Sequence, residues 1–289
     1  MRKSIFILLL CITVISSYSQ DDLAKETAPI VAEGKRMYRS EMASSNGKDL
    51  FKEKFKDQKE KIGGCFSYAA GDIDKCVIFS NDKQAQVMAT IDFDSSYNKA
   101  TAKLDVSKRS FTDQEKILYE IFTTALEDVN TNADSLYETY DKTKFNLVPI
   151  VDGGLKKVYV MTVSTDPGTV IFGNDYLLRF NKNNELILKK KIHNNILFFE
   201  YGKNEKDGKD KGLSIGGAHS HLPETGDFMT STDICTLMLY ERSANWRMHM
   251  VVSQKYMGTW NCDTNTLVTV PKDPSNKLIK SMDSIIKKD

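Results

Sequence analysis

Hydrophobic positions change their spacing several times along this chain of 289 residues. Over residues 75–106, apolar and polar residues alternate or nearly alternate, which predicts a small antiparallel meander. Residues 117–129 follow helical spacing instead, with one apolar stripe behind a capping-box pattern formed by Thr112 and Glu115. We expect this helix to lie on a sheet.

The segments on either side of that region differ in character. Residues 21–62 are charged and mostly helical, with interruptions expected at Gly34 and at residues 44–47. Residues 145–201 are β-rich and contain a hairpin signal, Asp-Gly-Gly, at positions 152–154. The first segment therefore predicts helices and the second predicts antiparallel strands.

The last third of the chain mixes both patterns. A strand is expected at residues 213–218, a helix at 233–242 and further strands between 247 and 270. The pattern as a whole predicts an α+β fold with a mixed, mostly antiparallel sheet and few helices.

The first residues have the three parts of a secretory signal peptide. Arg2 and Lys3 precede an apolar run at 5–15, and small residues at Ser17 and Ser19 predict cleavage before Gln20. A membrane anchor is the alternative, but 11 apolar residues fall short of the roughly 20 that span a bilayer. We therefore expect an exported protein, periplasmic or extracellular, with no transmembrane segment after cleavage.

Composition narrows the classes of partner. The chain has 40 basic and 39 acidic residues, and this balance argues against nucleic acid as a partner.

A lipid anchor on Cys11 is a further alternative to cleavage, but small residues do not precede this cysteine. Disulfides and buried free thiols are both compatible with the four cysteines of the mature chain, which are Cys65, Cys76, Cys235 and Cys262.

Two of the four histidines form the motif His219-Ser220-His221 directly after an apolar strand. Residues two apart in a strand point to the same side, so both imidazoles can face one ion. Asp233, at the start of the next predicted helix, can supply a carboxylate ligand. Two histidines, one carboxylate and a water are a ligand set for catalytic zinc, so zinc is the expected cofactor.

This run resembles the JAMM metallopeptidases, which have the MPN-type fold and carry H-x-H-P, a loop and S-x-x-D at a helix start. Here the corresponding residues are 216–223 and 230–234, followed by an apolar strand at 250–253. The resemblance implies zinc ligands at His219, His221 and Asp233. It also implies that Thr230 or Ser231 stabilises an oxyanion.

The sequence departs from the JAMM pattern in several places. Leu222 intervenes before Pro223, the loop to the aspartate is one residue longer, and Thr230 replaces the serine. The glutamate base of the family has no obvious counterpart, and Asp175 and Glu200 are the two candidates, with Asp175 slightly favoured.

Three functions remain open from the sequence, of which one is a zinc hydrolase of another specificity, because a fold does not fix the chemistry. The other two are more specific. One is a secreted zinc-dependent hydrolase that cleaves peptide or isopeptide bonds, with a peptide or protein substrate from the cell envelope. The other is a non-catalytic envelope protein that keeps the same scaffold for binding. His193 is expected to be a surface strand residue rather than a fourth member of the site, and His249 a structural residue.

The expected organisation has four parts. Residues 1–19 form the signal peptide, 20–144 an N-terminal α+β extension, 145–272 the JAMM-like metal-binding domain and 273–289 a charged helical tail.

Overall fold

The computed structural model describes residues 20–201 and 216–272. The predicted signal peptide at 1–19, the start of the strand expected at 213–218 and the tail at 273–289 lie outside the described residues. In chain order the elements are α1 (Gln20–Lys54), a 3-10 helix (Lys56–Lys61), β1 (Ile62–Ala70), β2 (Ile73–Ser80), β3 (Val87–Phe93), β4 (Lys103–Asp105), α2 (Asp113–Thr131), β5 (Thr143–Asp152), β6 (Leu155–Ser164), β7 (Thr169–Gly173), β8 (Tyr176–Phe180), β9 (Leu186–Lys191), β10 (Ile196–Glu200), β11 (Ala218–Ser220), α3 (Ser231–Tyr240), β12 (Met248–Val252), β13 (Tyr256–Asn261) and β14 (Thr266–Pro271).

These strands form one two-stranded and three four-stranded sheets within the described residues. Their orders are β1-β2-β3-β4, β5-β6-β8-β9, β7-β10 and β11-β12-β13-β14. Every pairing between these strands is antiparallel except that of β11 with β12, which is parallel. The prediction of an α+β fold with mostly antiparallel sheets is confirmed.

The amphipathic helix predicted from the apolar stripe is α2. Thr112 accepts a hydrogen bond from the backbone N–H of Glu115, and the Glu115 side chain accepts one from the Thr112 N–H, so the capping box is formed. Leu118 and Ile121 are fully buried in a core shared with β5, β6 and β8. Burial of each such side chain contributes about 1.5–3 kcal/mol.

Helix α1 is continuous, so the predicted interruptions at Gly34 and residues 44–47 are wrong. Both glycines lie where another element packs closely on the helix. A Cβ on Gly34 would stand 2.7 Å from Ile234 Cβ in α3, and one on Gly47 would stand 2.6 Å from Cys76 Sγ in β2. These glycines are therefore explained by close packing and not by a break in the helix.

The contact between α1 and α3 matters for the site described below. Ser231, the first residue of α3, donates a hydrogen bond to the carbonyl of Ile30 at 3.1 Å. Helix α1 belongs to the segment predicted as an N-terminal extension, yet it packs directly on α3 and on β14. Part of the extension therefore supports the start of α3.

All four cysteines in the described residues are free thiols, in agreement with one of the two alternatives open from the sequence. Among the same residues, no helix combines the length and the apolar character needed to cross a membrane.

We expect Gly34→Ala to destabilise the protein, although alanine is the better helix former by about 1 kcal/mol. The added methyl would lie 2.7 Å from Ile234 and 2.9 Å from the Ser231 carbonyl oxygen. Overpacking of this kind costs about 1–3 kcal/mol. Thermal unfolding should therefore show a lower Tm.

Ala28→Gly, at an exposed position of the same helix, serves as the control for helix propensity alone. A Gly34→Ala protein that is more stable than the wild type would contradict the packing argument.

Candidate metal centre

Four side chains from three parts of the fold meet in one buried cluster. His219 lies in β11 and His221 just beyond it, where the His221 N–H still donates to the Val252 carbonyl at 2.9 Å. The extended backbone therefore keeps both imidazoles on one side, as predicted. Asp233 lies in the first turn of α3, and His193 comes from the turn between β9 and β10.

The imidazole nitrogens and the carboxylate converge. His219 Nε2 lies 3.3 Å from His221 Nε2 and 3.5 Å from Asp233 Oδ1. His221 Nε2 lies 3.2 Å from Asp233 Oδ2, and His193 Nε2 lies 3.5 Å from Asp233 Oδ1. All four residues are buried, with exposed fractions of 6% or less. The structure thus brings together the three predicted ligands and adds His193 to them.

The far side of each imidazole has its own neighbour. Nδ1 of His221 lies 3.0 Å from the Phe228 carbonyl, and Nδ1 of His219 lies 2.9 Å from His249 Nε2. Nδ1 of His193 lies 3.3 Å from Asp175 Oδ2, although it does not point along a hydrogen bond. Metal-binding histidines usually have their second nitrogen held in this way, which fixes the ring and its tautomer.

Asp233 is fixed by the start of α3. Its Oδ2 accepts hydrogen bonds from the backbone N–H of Thr230 at 2.8 Å and from the Thr230 hydroxyl at 2.7 Å. Its Oδ1 is buried and has no hydrogen-bond partner among the described residues. Leaving such an acceptor unsatisfied costs about 1–3 kcal/mol. A cation between Oδ1 and the histidines would remove that cost.

The spacing of these atoms suits a tetrahedral ion. Bonds of about 2.0–2.2 Å in a tetrahedral zinc site place the ligand atoms about 3.3 Å apart. The closest contacts among His219, His221 and Asp233 span 3.2–3.5 Å, with His219 Nε2 facing Oδ1 of the carboxylate and His221 Nε2 facing Oδ2. A second group, consisting of His193, His221 and Asp233, offers ligand atoms that all lie within 4.8 Å of one another. This buried histidine–aspartate cluster can hold a metal ion.

The charges in the cluster are arranged around Asp233. Burial alone would raise the pKa of Asp233, but His193 and His221 hold it well below its usual value. Burial alone would lower the pKa of His193, but the carboxylates of Asp233 and Asp175 raise it to about 10. Burial lowers the pKa of His219. In the absence of a metal, a protonated His193 therefore neutralises the Asp233 carboxylate.

A small cavity of about 30 Å³ adjoins the cluster. A water molecule needs about 10–15 Å³ of such space, so one or two fit there. Leu197 and Leu222 form its rim, with 37% and 42% of their surface exposed, so the cavity opens to solvent. A larger cavity of about 400 Å³ lies between α1, β1 and β5 and contains none of the four site residues.

The predicted catalytic residues lie in different surroundings. Asp175 is buried beside His193, and its Oδ1 accepts a hydrogen bond from the Thr162 N–H at 3.1 Å. Glu200 is exposed at the end of β10. The Thr230 hydroxyl caps α3 and donates to Asp233, and the Ser231 hydroxyl donates to Ile30 in α1. These contacts favour a structural role for both hydroxyls over an oxyanion role.

The prediction that His193 is a surface residue is wrong, because it is buried and contacts Asp233. The prediction that His249 is structural agrees with its burial, and its contact with His219 adds a link to the site. The sequence alone gives one weak signal for His193, which is that the chain has only four histidines. The stronger signal needs the structure: His193 lies in the turn after β9, and β9 pairs with β8, which follows Asp175.

Comparison with known proteins adds no relative. The chain matches no protein-family model, no curated protein and no solved structure.

We expect the affinity of the cluster for a divalent metal ion to rise with pH. The pKa of His193 is raised to about 10, so this histidine carries a proton at neutral pH in the metal-free protein. A cation beside Asp233 would expel that proton, whether His193 then binds the ion or only faces it. Release of one proton makes the affinity rise about tenfold per pH unit below that pKa.

Competition with a chelator at pH 6, 7 and 8 would measure this slope, and calorimetry in buffers of different ionisation enthalpy would count the protons. Asp175→Asn removes one carboxylate that raises the pKa of His193. In this variant the rise of affinity with pH should therefore level off at a lower pH than in the wild type. An affinity that does not change between pH 6 and 8 would contradict the charge arrangement.

Proposed function

We propose that this protein is an exported zinc-dependent hydrolase of JAMM type that cleaves peptide or isopeptide bonds. The observation that carries the proposal is the convergence of His219, His221 and Asp233 at tetrahedral spacing beside a cavity open to solvent. The H-x-H strand followed by a capped helix with aspartate at its third position is the arrangement implied by the resemblance.

Zinc is the metal we propose for this donor set. Imidazole nitrogen and carboxylate oxygen are both common zinc ligands, and three protein ligands leave one position for a water. When bound, zinc would lower the pKa of that water towards neutrality and polarise the carbonyl of the substrate. Asp233 Oδ1 faces the imidazole nitrogen of His219, and Oδ2 faces that of His221, so the carboxylate and the two rings offer donors that fit this ion.

The proton acceptor in this proposal is His193 and not a glutamate. Its Nε2 points into the cluster, 3.5 Å from both Asp233 Oδ1 and the Thr230 hydroxyl, and it lines the cavity. Asp175, favoured as the base from the sequence, lies behind His193 and contacts its Nδ1. Asp175 would orient the ring, while His193 Nε2 would take the proton from the attacking water and return it to the leaving amine.

The rest of the cavity is uncharged. Apart from the site residues, its lining consists of Phe172, Gly173, Asn194, Asn195, Leu197, Ser220, Leu222 and Thr225. A neutral lining suits an amide substrate better than a phosphate or a carboxylate, which would need a cationic partner. The side chains of Asn194, Asn195 and Ser220 carry the donors that could meet a developing oxyanion.

The proposal can be tested by hydrolysis of a peptide and isopeptide library with zinc content measured in parallel. Zinc-loaded wild type should cleave members of the library, and Asp175→Asn should cleave them more slowly with zinc retained. Glu200→Gln is the matched control, because Glu200 is exposed on β10. Its rate should stay within about twofold of the wild type, as for surface substitutions away from a site.

A non-catalytic metal-binding protein is the second candidate, and one observation favours it. The ligand atoms of His193, His221 and Asp233 all lie within 4.8 Å of one another. His193 could therefore take the position of the water and complete the coordination sphere. Two results together would favour this function over the hydrolase. Zinc-loaded wild type would cleave nothing, and the His193→Gln protein would lose affinity for zinc.

A further inference from the structure

His249, on β12, lies next to the metal-binding cluster and contacts it through His219. Its ring is fully buried and stacks on Phe172, with centroids 4.8 Å apart. Phe199 and Trp246 enclose it at centroid distances of 5.8 and 5.6 Å. Three aromatic rings therefore hold the imidazole in one orientation.

The backbone beside this ring makes room for it. A Cβ on Gly217, two residues before His219, would stand 3.1 Å from both Cε1 and Nδ1 of His249. It would also stand 3.0 Å from the Phe199 ring. A side chain at this position would push the imidazole away from His219, so the glycine has a packing reason to be there.

Within residues 20–201 and 216–272, the side chain of His249 has one polar contact, which is with His219: His249 Nε2 lies 2.9 Å from His219 Nδ1. If His219 Nε2 offers its lone pair to a metal, the ring proton of His219 must sit on Nδ1. His219 then donates, and His249 Nε2 accepts. A neutral His249 must in turn carry its own proton on Nδ1, which is buried and has no hydrogen-bond partner in the part of the chain that the structure describes.

We propose that His249 is a positioning residue of the metal centre, which fixes the ring and tautomer of His219 through an imidazole–imidazole hydrogen bond. The proposal rests on the proposed function only in that it requires a bound metal. Its cost is one buried N–H that has no partner among the described residues. The contact with His219 explains why a histidine with an unpaired N–H lies among these aromatic rings.

The choice of a neutral acceptor has a chemical consequence. Carboxylate partners raise the basicity of a metal-binding histidine, which reduces the positive charge that the ion presents to its remaining ligand. His193 has such a carboxylate neighbour, Asp175, but His219 has only the uncharged His249. An imidazole partner orients His219 without adding negative charge, which keeps the metal a stronger Lewis acid.

His249→Phe tests the contact, because it keeps an aromatic ring in the cluster and removes the acceptor. We expect zinc affinity, measured by chelator competition, to fall 10–100-fold, as for other partners of metal-binding histidines. The cobalt-substituted protein should show an altered visible absorption spectrum. The Tm of the metal-free protein should stay near that of the wild type, because the variant removes the unpaired N–H of His249 but leaves His219 Nδ1 without its partner.

His249→Gln is the second variant, since its side-chain oxygen can accept from His219, and it should restore part of the affinity. In zinc-loaded wild type, nitrogen–proton correlation NMR should find the His249 proton on Nδ1 and the His219 proton on Nδ1. A proton on His249 Nε2 would overturn the proposal, as would a His249→Phe protein with wild-type affinity and spectrum.

The outcomes separate this inference from the function. Tight zinc binding without any peptide hydrolysis would contradict the hydrolase and leave the effect of His249→Phe on affinity fully measurable. A wild-type protein that binds neither zinc nor cobalt would overturn both proposals. If His249→Phe does not fold, His249→Gln and the NMR tautomer still decide the role of His249.

Discussion

Replacement of His219 and His221 together by alanine should reduce bound zinc from about one ion per chain to a trace. The pair supplies two of the three ligands at tetrahedral spacing, and the remaining carboxylate cannot hold the ion alone. Elemental analysis after dialysis measures the content. In thermal unfolding, zinc at about 1,000 times its Kd should stabilise the wild type by about 4 kcal/mol and leave the double variant unchanged.

Asp227→Asn is the matched control for Asp233→Asn. Both carboxylates come from the same stretch of chain, but Asp227 pairs with Lys255 at 2.8 Å, whereas Asp233 faces the histidines. Asp227→Asn should keep its zinc and Asp233→Asn should lose it. A wild-type protein without zinc, or a double variant that retains it, would mean that the cluster is only a buried hydrogen-bonded group.

His193→Gln should lower the rate of hydrolysis about 10²–10⁴-fold, the usual contribution of a general base. Glutamine is close in size and can form hydrogen bonds, but it cannot accept a proton at neutral pH. If His193 acts as the base, zinc content should remain near that of the wild type. The measurement is kcat at saturating substrate for zinc-loaded enzyme, with bound metal determined on the same sample.

Asp175→Asn and Glu200→Gln complete the series. Asp175 contacts His193 Nδ1, so its loss should lower kcat less than His193→Gln does, while Glu200→Gln should have no effect. Equal activity of His193→Gln and the wild type would exclude His193 as the proton acceptor. Loss of both zinc and activity would instead assign His193 to the coordination sphere.

Local rules were sufficient for the part of the site that is continuous in sequence. Strand alternation places His219 and His221 on one side, and the capping pattern places Asp233 in the first turn of α3. Each of these inferences depends on a repeat of two residues or one helical turn. The same kind of rule predicted α2 and its cap.

The remainder of the site depends on topology, which no local pattern encodes. His193 and Asp175 meet because β8 and β9 pair. Ile192, the residue after β9, donates its N–H to the Asp175 carbonyl at 2.7 Å. Their strand register brings the turn after β9 back beside the turn after β7. From the sequence alone, a histidine next to polar asparagines on a lysine-rich strand has the pattern of a surface residue.

The same limit explains the error in α1. Glycine lowers helix propensity, so a local rule predicts an interruption at Gly34. The structure shows that this position is occupied on its outer side by Ile234, 200 residues later in the chain. The close contact with Ile234 explains why a glycine occupies this position in a continuous helix.

The bond between Ser231 and Ile30 has a consequence for the order of folding. It joins residues 201 positions apart, so the helix that carries Asp233 gains its support only after most of the chain is present. Contacts of such separation form late, because their loop-closure entropy is offset only when other contacts are in place. Tight metal capture should therefore be among the last events of folding, and a partly synthesised chain should compete poorly for zinc.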